Sequence, residues 1–148
     1  MNSLIVPIYN EIDAIDEMLE RISSFASKHN NWNVIIVDDG SSDGTKNKIL
    51  KKDFKTLKIE IIHHKQNKGY GAALKTGIKS SKAKFIAIID ADGTYPFDEF
   101  DTLKIYMRDY MMVVGARIKE DSAIPFIKKV PKYFIRKFAS YITDTNVL

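Results

Sequence analysis

Apolar positions in this chain fall into short unbroken runs. Leu4-Ile5-Val6 stops at Pro7, and Asn33-Val34-Ile35-Ile36-Val37 stops at Asp38-Asp39-Gly40. Runs that are rich in β-branched residues and do not alternate with polar ones predict parallel strands covered on both faces. Residues 57–62 and 85–89 follow the same pattern, and residues 111–114 are a fifth candidate. Between the runs the apolar spacing changes to three and four. Ile12, Ile15, Leu19 and Ile22 mark one helix face, residues 72–80 and 97–107 predict two further helices, and residues 45–52 a shorter one.

Strand and helix thus alternate about five times, which predicts an α/β fold: right-handed crossovers, a mostly parallel sheet and helices on both of its faces. In such a sheet ligands bind beyond the carboxyl ends of the strands. The polar groups that directly follow strands are Tyr9-Asn10-Glu11, Asp38-Asp39-Gly40-Ser41, Asp90-Ala91-Asp92 and Gly115-Ala116-Arg117. All four are expected at one edge. No repeat, low-complexity tract or linker interrupts the chain, so residues 1–148 read as a single domain.

Composition narrows this picture only in part. The 148 residues, 45% of them hydrophobic, suit one core. Absence of cysteine excludes disulfides and thiolate metal sites, which leaves oxygen ligands or His29, His63 and His64. The start of the chain lacks the charged, apolar pattern of a signal peptide, and no apolar run approaches the ~18 residues that cross a bilayer, so the chain reads as soluble. A net charge of +4 favours anionic partners without choosing among phosphates, nucleic acid and lipid headgroups.

Asp90 and Asp92 flank one small residue at a strand end and can both reach a single hard cation, Mg2+ or Mn2+, leaving positions open for water and phosphate oxygens. An Asp-x-Asp also arises in ordinary helix-capping loops. In the segment from Asp38 to Thr45, Gly40 and Gly44 permit a sharp turn, and Asp43 or Thr45 suits a helix cap. Adjacent Asp38 and Asp39 repel unless each has its own partner: backbone or helix-end donors for Asp38, a base N–H or a ribose hydroxyl for Asp39. The loop Asn67-Lys68-Gly69-Tyr70-Gly71-Ala72-Ala73 leads into a helix whose first N–H groups could receive phosphate, or whose small residues could serve close packing. It matches neither the Gly-x-Gly-x-x-Gly nor the P-loop pattern. His63 and His64 are adjacent on a strand and point to opposite faces, so they do not share a ligand. Lys128, Lys129, Lys132, Arg136 and Lys137 are interleaved with aromatic and aliphatic residues in a stretch without acidic ones. Such a stretch either lies on an anionic membrane surface or packs its apolar side on the domain.

Taken together, Val6-Pro7-Ile8-Tyr9-Asn10-Glu11, residues 37–45, residues 67–73, Asp90-Ala91-Asp92-Gly93-Thr94-Tyr95-Pro96 and Gly115-Ala116-Arg117 resemble family-2 glycosyltransferases of the GT-A fold, a Rossmann-like arrangement. Within that family they look like the branch that transfers sugars to polyprenyl or dolichyl phosphate. The resemblance implies that Pro7, Tyr9 and Glu11 line a nucleotide pocket. It further implies that Asp39 accepts a hydrogen bond from the base, that Gly71 and Arg117 lie near the phosphates, and that Asp90 and Asp92 hold the cation. It implies a UDP- or GDP-linked sugar donor, a lipid-phosphate acceptor, inversion at the anomeric carbon and no nucleic-acid partner. The place of work would be the cytoplasmic face of a membrane.

Relatives in that family continue into an acceptor-side region, whereas this sequence ends at Leu148, so residues 120–148 are expected to be a basic amphipathic lead into a missing part. Three alternatives stay open. A polysaccharide or glycan transferase would use a hydroxyl acceptor. A nucleotidyltransferase would show a Gly- and Lys/Arg-rich first loop where this chain has the acidic Pro7-Ile8-Tyr9-Asn10-Glu11. A nucleotide-binding module would bind without turnover.

Overall fold

The computed structural model describes residues 1–92 and 97–115. Met1–Val113 form one compact unit and Val114–Leu148 a second. The chain runs β1 (Asn2–Ile8), α1 (Ile15–Lys28), β2 (Trp32–Asp38), α2 (Thr45–Lys51), β3 (Ile59–His63), α3 (Tyr70–Ser80), β4 (Phe85–Ile88), a 3-10 turn (Phe97–Glu99) and α4 (Phe100–Tyr106). The sheet order is β3-β2-β1-β4, with every pairing parallel. β1 lies in the interior of the sheet and is buried along its whole length, which is why its run of apolar residues does not alternate.

Side chains alternate across the sheet, so each face has its own core. Leu4, Val6, Ile8, Val34 and Ile36 face one way and meet Ile15, Met18, Leu19, Ile22 and Phe25 of α1 and Ile49 of α2. Ile5, Ile35 and Val37 face the other way and meet Ala73 of α3. Each of the fully buried Val, Leu and Ile side chains stabilises the fold by about 1.5–3 kcal/mol. Phe25, Trp32, Phe97 and Phe100 close the α1 face, with ring centroids 5.7 Å apart for Phe25 and Trp32 and for Phe25 and Phe97. On the opposite face α3 approaches unusually closely. A Cβ on Gly77 would lie 2.6 Å from Ile5 Cγ2, so only glycine lets the helix sit there.

The candidate fifth strand is corrected. Residues 111–114 form no strand, and Met111 is 100% exposed. Their apolar character is real, but among the described residues they pair with no strand, and a strand requires that ladder. The helix expected over 97–107 begins as the 3-10 turn and ends at Tyr106. No helix among the described residues is long and apolar enough to cross a membrane.

Candidate functional site

At the carboxyl edge of the sheet, the segments following β1 and β2 bind each other. Asn10, in a left-handed conformation at φ 53°, donates its backbone N–H to Ser41 Oγ (3.0 Å) and accepts from Ser42 N–H at Oδ1 (2.9 Å). Glu11 N–H donates to Thr45 Oγ1 (2.9 Å), and Ile12 N–H to Asp43 Oδ2 (3.0 Å). Asp43 Oδ1 also accepts from Thr45 N–H (2.9 Å), which braces the start of α2. Burial pulls the Asp43 carboxyl upward, yet these bonds from Thr45 and Ile12 prevail and leave its pKa below the ordinary value. Much of the segment from Asp38 to Thr45 is therefore framework for the site.

The two adjacent aspartates use separate partners, one on each face of the sheet. Asp38 is 0% exposed, accepts from Ser41 N–H (3.1 Å) and pairs with His63 Nδ1 (3.0 Å). Asp39 is 2% exposed; its Oδ1 accepts from His64 Nδ1 (2.6 Å) and Lys68 N–H (3.0 Å), and its Oδ2 from Gly69 N–H (2.8 Å). His64 is held in turn by Thr76 Oγ1 on α3, 2.9 Å from Nε2. Burial alone would raise the Asp39 pKa, but the bonds from His64, Lys68 and Gly69 together outweigh it and hold the carboxyl below the usual range. A parallel register that sets Asp38 opposite His63 is what delivers both pairs. The sequence carried the signal as two Asp and two His at neighbouring strand ends, but pairing them requires the register.

Gly40 lets the loop before α3 cross this turn. Its φ is 72°, and a Cβ there would sit 2.4 Å from the backbone carbon of Gln66. The crossing brings the N–H groups of Lys68 and Gly69 to Asp39 and starts α3 at Tyr70. Tyr70 then donates its hydroxyl to Asp90 Oδ1 (2.8 Å) from across the edge.

These elements enclose a cleft of about 390 Å³ whose walls include Pro7, Tyr9, Glu11, Asp39, Asp90 and Asp92, together with Asn67, Tyr70 and Ala73. Six residues singled out from the sequence thus meet in one place. Gly71 is not among the walls, and a Cβ on it would meet nothing within 4 Å, so close packing does not account for this glycine. Arg117, the turn at residues 93–96 and the basic stretch within 120–148 lie outside the described residues. Asn67, Tyr70, His64 and Thr76 were given no individual binding role by sequence reasoning.

As a cation site the edge offers two carboxylates. No group of three acidic or histidine side chains suited to a metal occurs among the described residues. Asp90 and Asp92 as hard oxygen donors, in a cleft open to solvent, fit an ion that keeps several positions for water and phosphate oxygens, as Mg2+ and Mn2+ do.

The family model for glycosyl transferase family 2 matches residues 3–147. A dolichyl-phosphate beta-glucosyltransferase of Trichomonas vaginalis is 30% identical over 158 residues, covering 99% of this chain and 47% of that protein. A UDP-N-acetylglucosamine–dolichyl-phosphate N-acetylglucosaminyltransferase of Methanococcus voltae is 36% identical, over 86% of this chain and 57% of that protein. The chain spans about half the length of the curated relatives it matches. Among solved structures, a mannosyltransferase from Pyrobaculum calidifontis in complex with GDP-Man and Mn2+ superposes with a TM-score of 0.58 and 28% identity. That match covers 64% of this chain and 28% of that one.

Proposed function

The chain belongs to glycosyl transferase family 2, and from that premise we propose that its cleft seats the nucleoside diphosphate of a UDP- or GDP-linked sugar, which the whole protein transfers to a polyprenyl phosphate. One observation carries this reading: Pro7, Tyr9, Glu11, Asp39, Asp90 and Asp92 line one cleft beyond the carboxyl ends of parallel strands. The GDP-Man and Mn2+ of the related mannosyltransferase support the donor and the ion, and the dolichyl-phosphate relatives support the acceptor.

In this reading Pro7, Tyr9 and Glu11 bound the nucleotide pocket. Asp39 is ionised at neutral pH and takes a base N–H on Oδ2, whose one partner among the described residues is Gly69 N–H. Gly71 in the first turn of α3 and Arg117 attend the phosphates, where helix-end N–H groups and a guanidinium both favour anions. Asp90 and Asp92 would hold Mg2+ or Mn2+, which when bound supplies Lewis-acid stabilisation of charge growing on the diphosphate. An acceptor phosphate oxygen attacks the anomeric carbon opposite the leaving group. The carbon–oxygen bond to the diphosphate breaks, its electron pair departs with the nucleotide, and the configuration inverts. A lipid phosphate is already anionic, so no side chain has to remove a proton from it. The basic stretch within residues 120–148 meets the anionic surface in which such an acceptor resides.

Calorimetric titration with UDP and GDP, with and without Mn2+, tests the donor site. Expected is Mn2+-dependent binding of one diphosphate that disappears in Asp92→Ala. Binding of neither, or an affinity indifferent to both Mn2+ and the substitution, defeats the reading. For the basic stretch, neutralising Lys128, Lys129 and Lys132 should weaken binding to anionic vesicles.

A further inference from the structure

Tyr70 joins the two sides of the cleft. It directly follows Lys68 and Gly69, whose N–H groups bind Asp39, and its own hydroxyl reaches Asp90 Oδ1 at 2.8 Å. Tyr70 is 55% exposed, so it stands at the surface rather than in the core. An O–H donor to a carboxylate makes a bond roughly twice as strong as a neutral one, which can hold a surface side chain in place. Asp90 Oδ2 accepts no hydrogen bond from the described residues. The phenol thus commits one oxygen of Asp90 and leaves the other for a ligand.

We propose that Tyr70 is a positioning residue for the cation, fixing the Asp90 carboxylate with one oxygen presented to Mg2+ or Mn2+. Residues 67–70 then set both the acceptor geometry at Asp39 and the orientation of Asp90, so one short loop ties nucleotide seating to cation seating. This rests on the donor-site reading above. Hydrogen-bond partners of metal-binding side chains commonly contribute about 10–100-fold to metal affinity, because they hold the ligand in its productive orientation.

The test is Mn2+ binding to the chain in the presence of saturating UDP or GDP, followed through the paramagnetic resonance of free Mn2+, for the wild type and Tyr70→Phe. The substitution keeps the exposed ring and removes only the hydroxyl; an unchanged thermal melt verifies the fold. Expected is a rise in the Mn2+ dissociation constant of about tenfold, with nucleotide affinity at saturating Mn2+ unchanged within about twofold. Equal Mn2+ affinity overturns the proposal. Tighter Mn2+ binding also overturns it, since the hydroxyl would then occupy the ion's position. An equal fall in nucleotide affinity at saturating Mn2+ overturns it too, by placing the hydroxyl on the nucleotide. If the wild type takes up no Mn2+, the donor-site reading falls and this inference with it; if only Tyr70→Phe is indifferent, this inference falls alone.

Discussion

Asp39 and Asp90 both line the cleft, yet the protein holds them in opposite ways. Asp39 is desolvated and gripped by His64, Lys68 and Gly69, within a turn that is itself cross-linked to the segment after β1. Asp90 is half-buried and, among the described residues, receives one side-chain hydrogen bond, from a largely exposed tyrosine. The difference follows from what burial demands. A buried carboxylate must have its donors in place as part of the fold, because an unpaired buried charge costs several kcal/mol. One that faces water needs no such framework, and its ligand can complete it. One wall of the cleft is therefore braced by the fold itself, and the other rests on a single surface contact among the described residues.

The largest loss of stability is expected from the crossing at Gly40. Gly40→Ala combines a left-handed backbone with overlap against the Gln66 backbone and should cost roughly 4 kcal/mol, read as a lower urea midpoint. His64→Ala should cost roughly 3 kcal/mol by stripping a buried carboxylate of its side-chain partner. A smaller effect is expected from acid. The Asp39 pKa is lowered, so its contribution to stability is complete above the ordinary value of 3.8 and is lost as pH falls through the folded-state value. Urea midpoints should thus decline less steeply below about pH 4 in Asp39→Asn than in the wild type. The least effect is expected on the other wall, where Asp90→Asn should change stability by less than about 0.5 kcal/mol. A destabilisation there as large as that of His64→Ala would erase the contrast.

The pattern of apolar runs sufficed for β1, β2 and β4, for the buried face of α1, and hence for a mostly parallel sheet with helices on both faces. It misled at residues 111–114, where the apolar residues pair with no strand among the described residues, a condition no local window contains. The site was legible to the extent that residues following parallel strands gather at one edge, as Glu11, Asp39, Asp90 and Asp92 do. The supports were not legible. His64 reaches Asp39 through the register of β3 on β2, and Thr76 reaches His64 through the seating of α3, both of them properties of the assembled sheet.

Gly77 has one more consequence. The place where α3 rests on Ile5 acts as a fulcrum, and Tyr70 lies seven residues away, about 10 Å along the helix axis. A tilt of about 6° at that contact would move the tyrosine by about 1 Å, enough in a preorganised site to change rates by about 100-fold. A larger side chain at position 5, beneath α3, is therefore expected to shift Tyr70 at the rim.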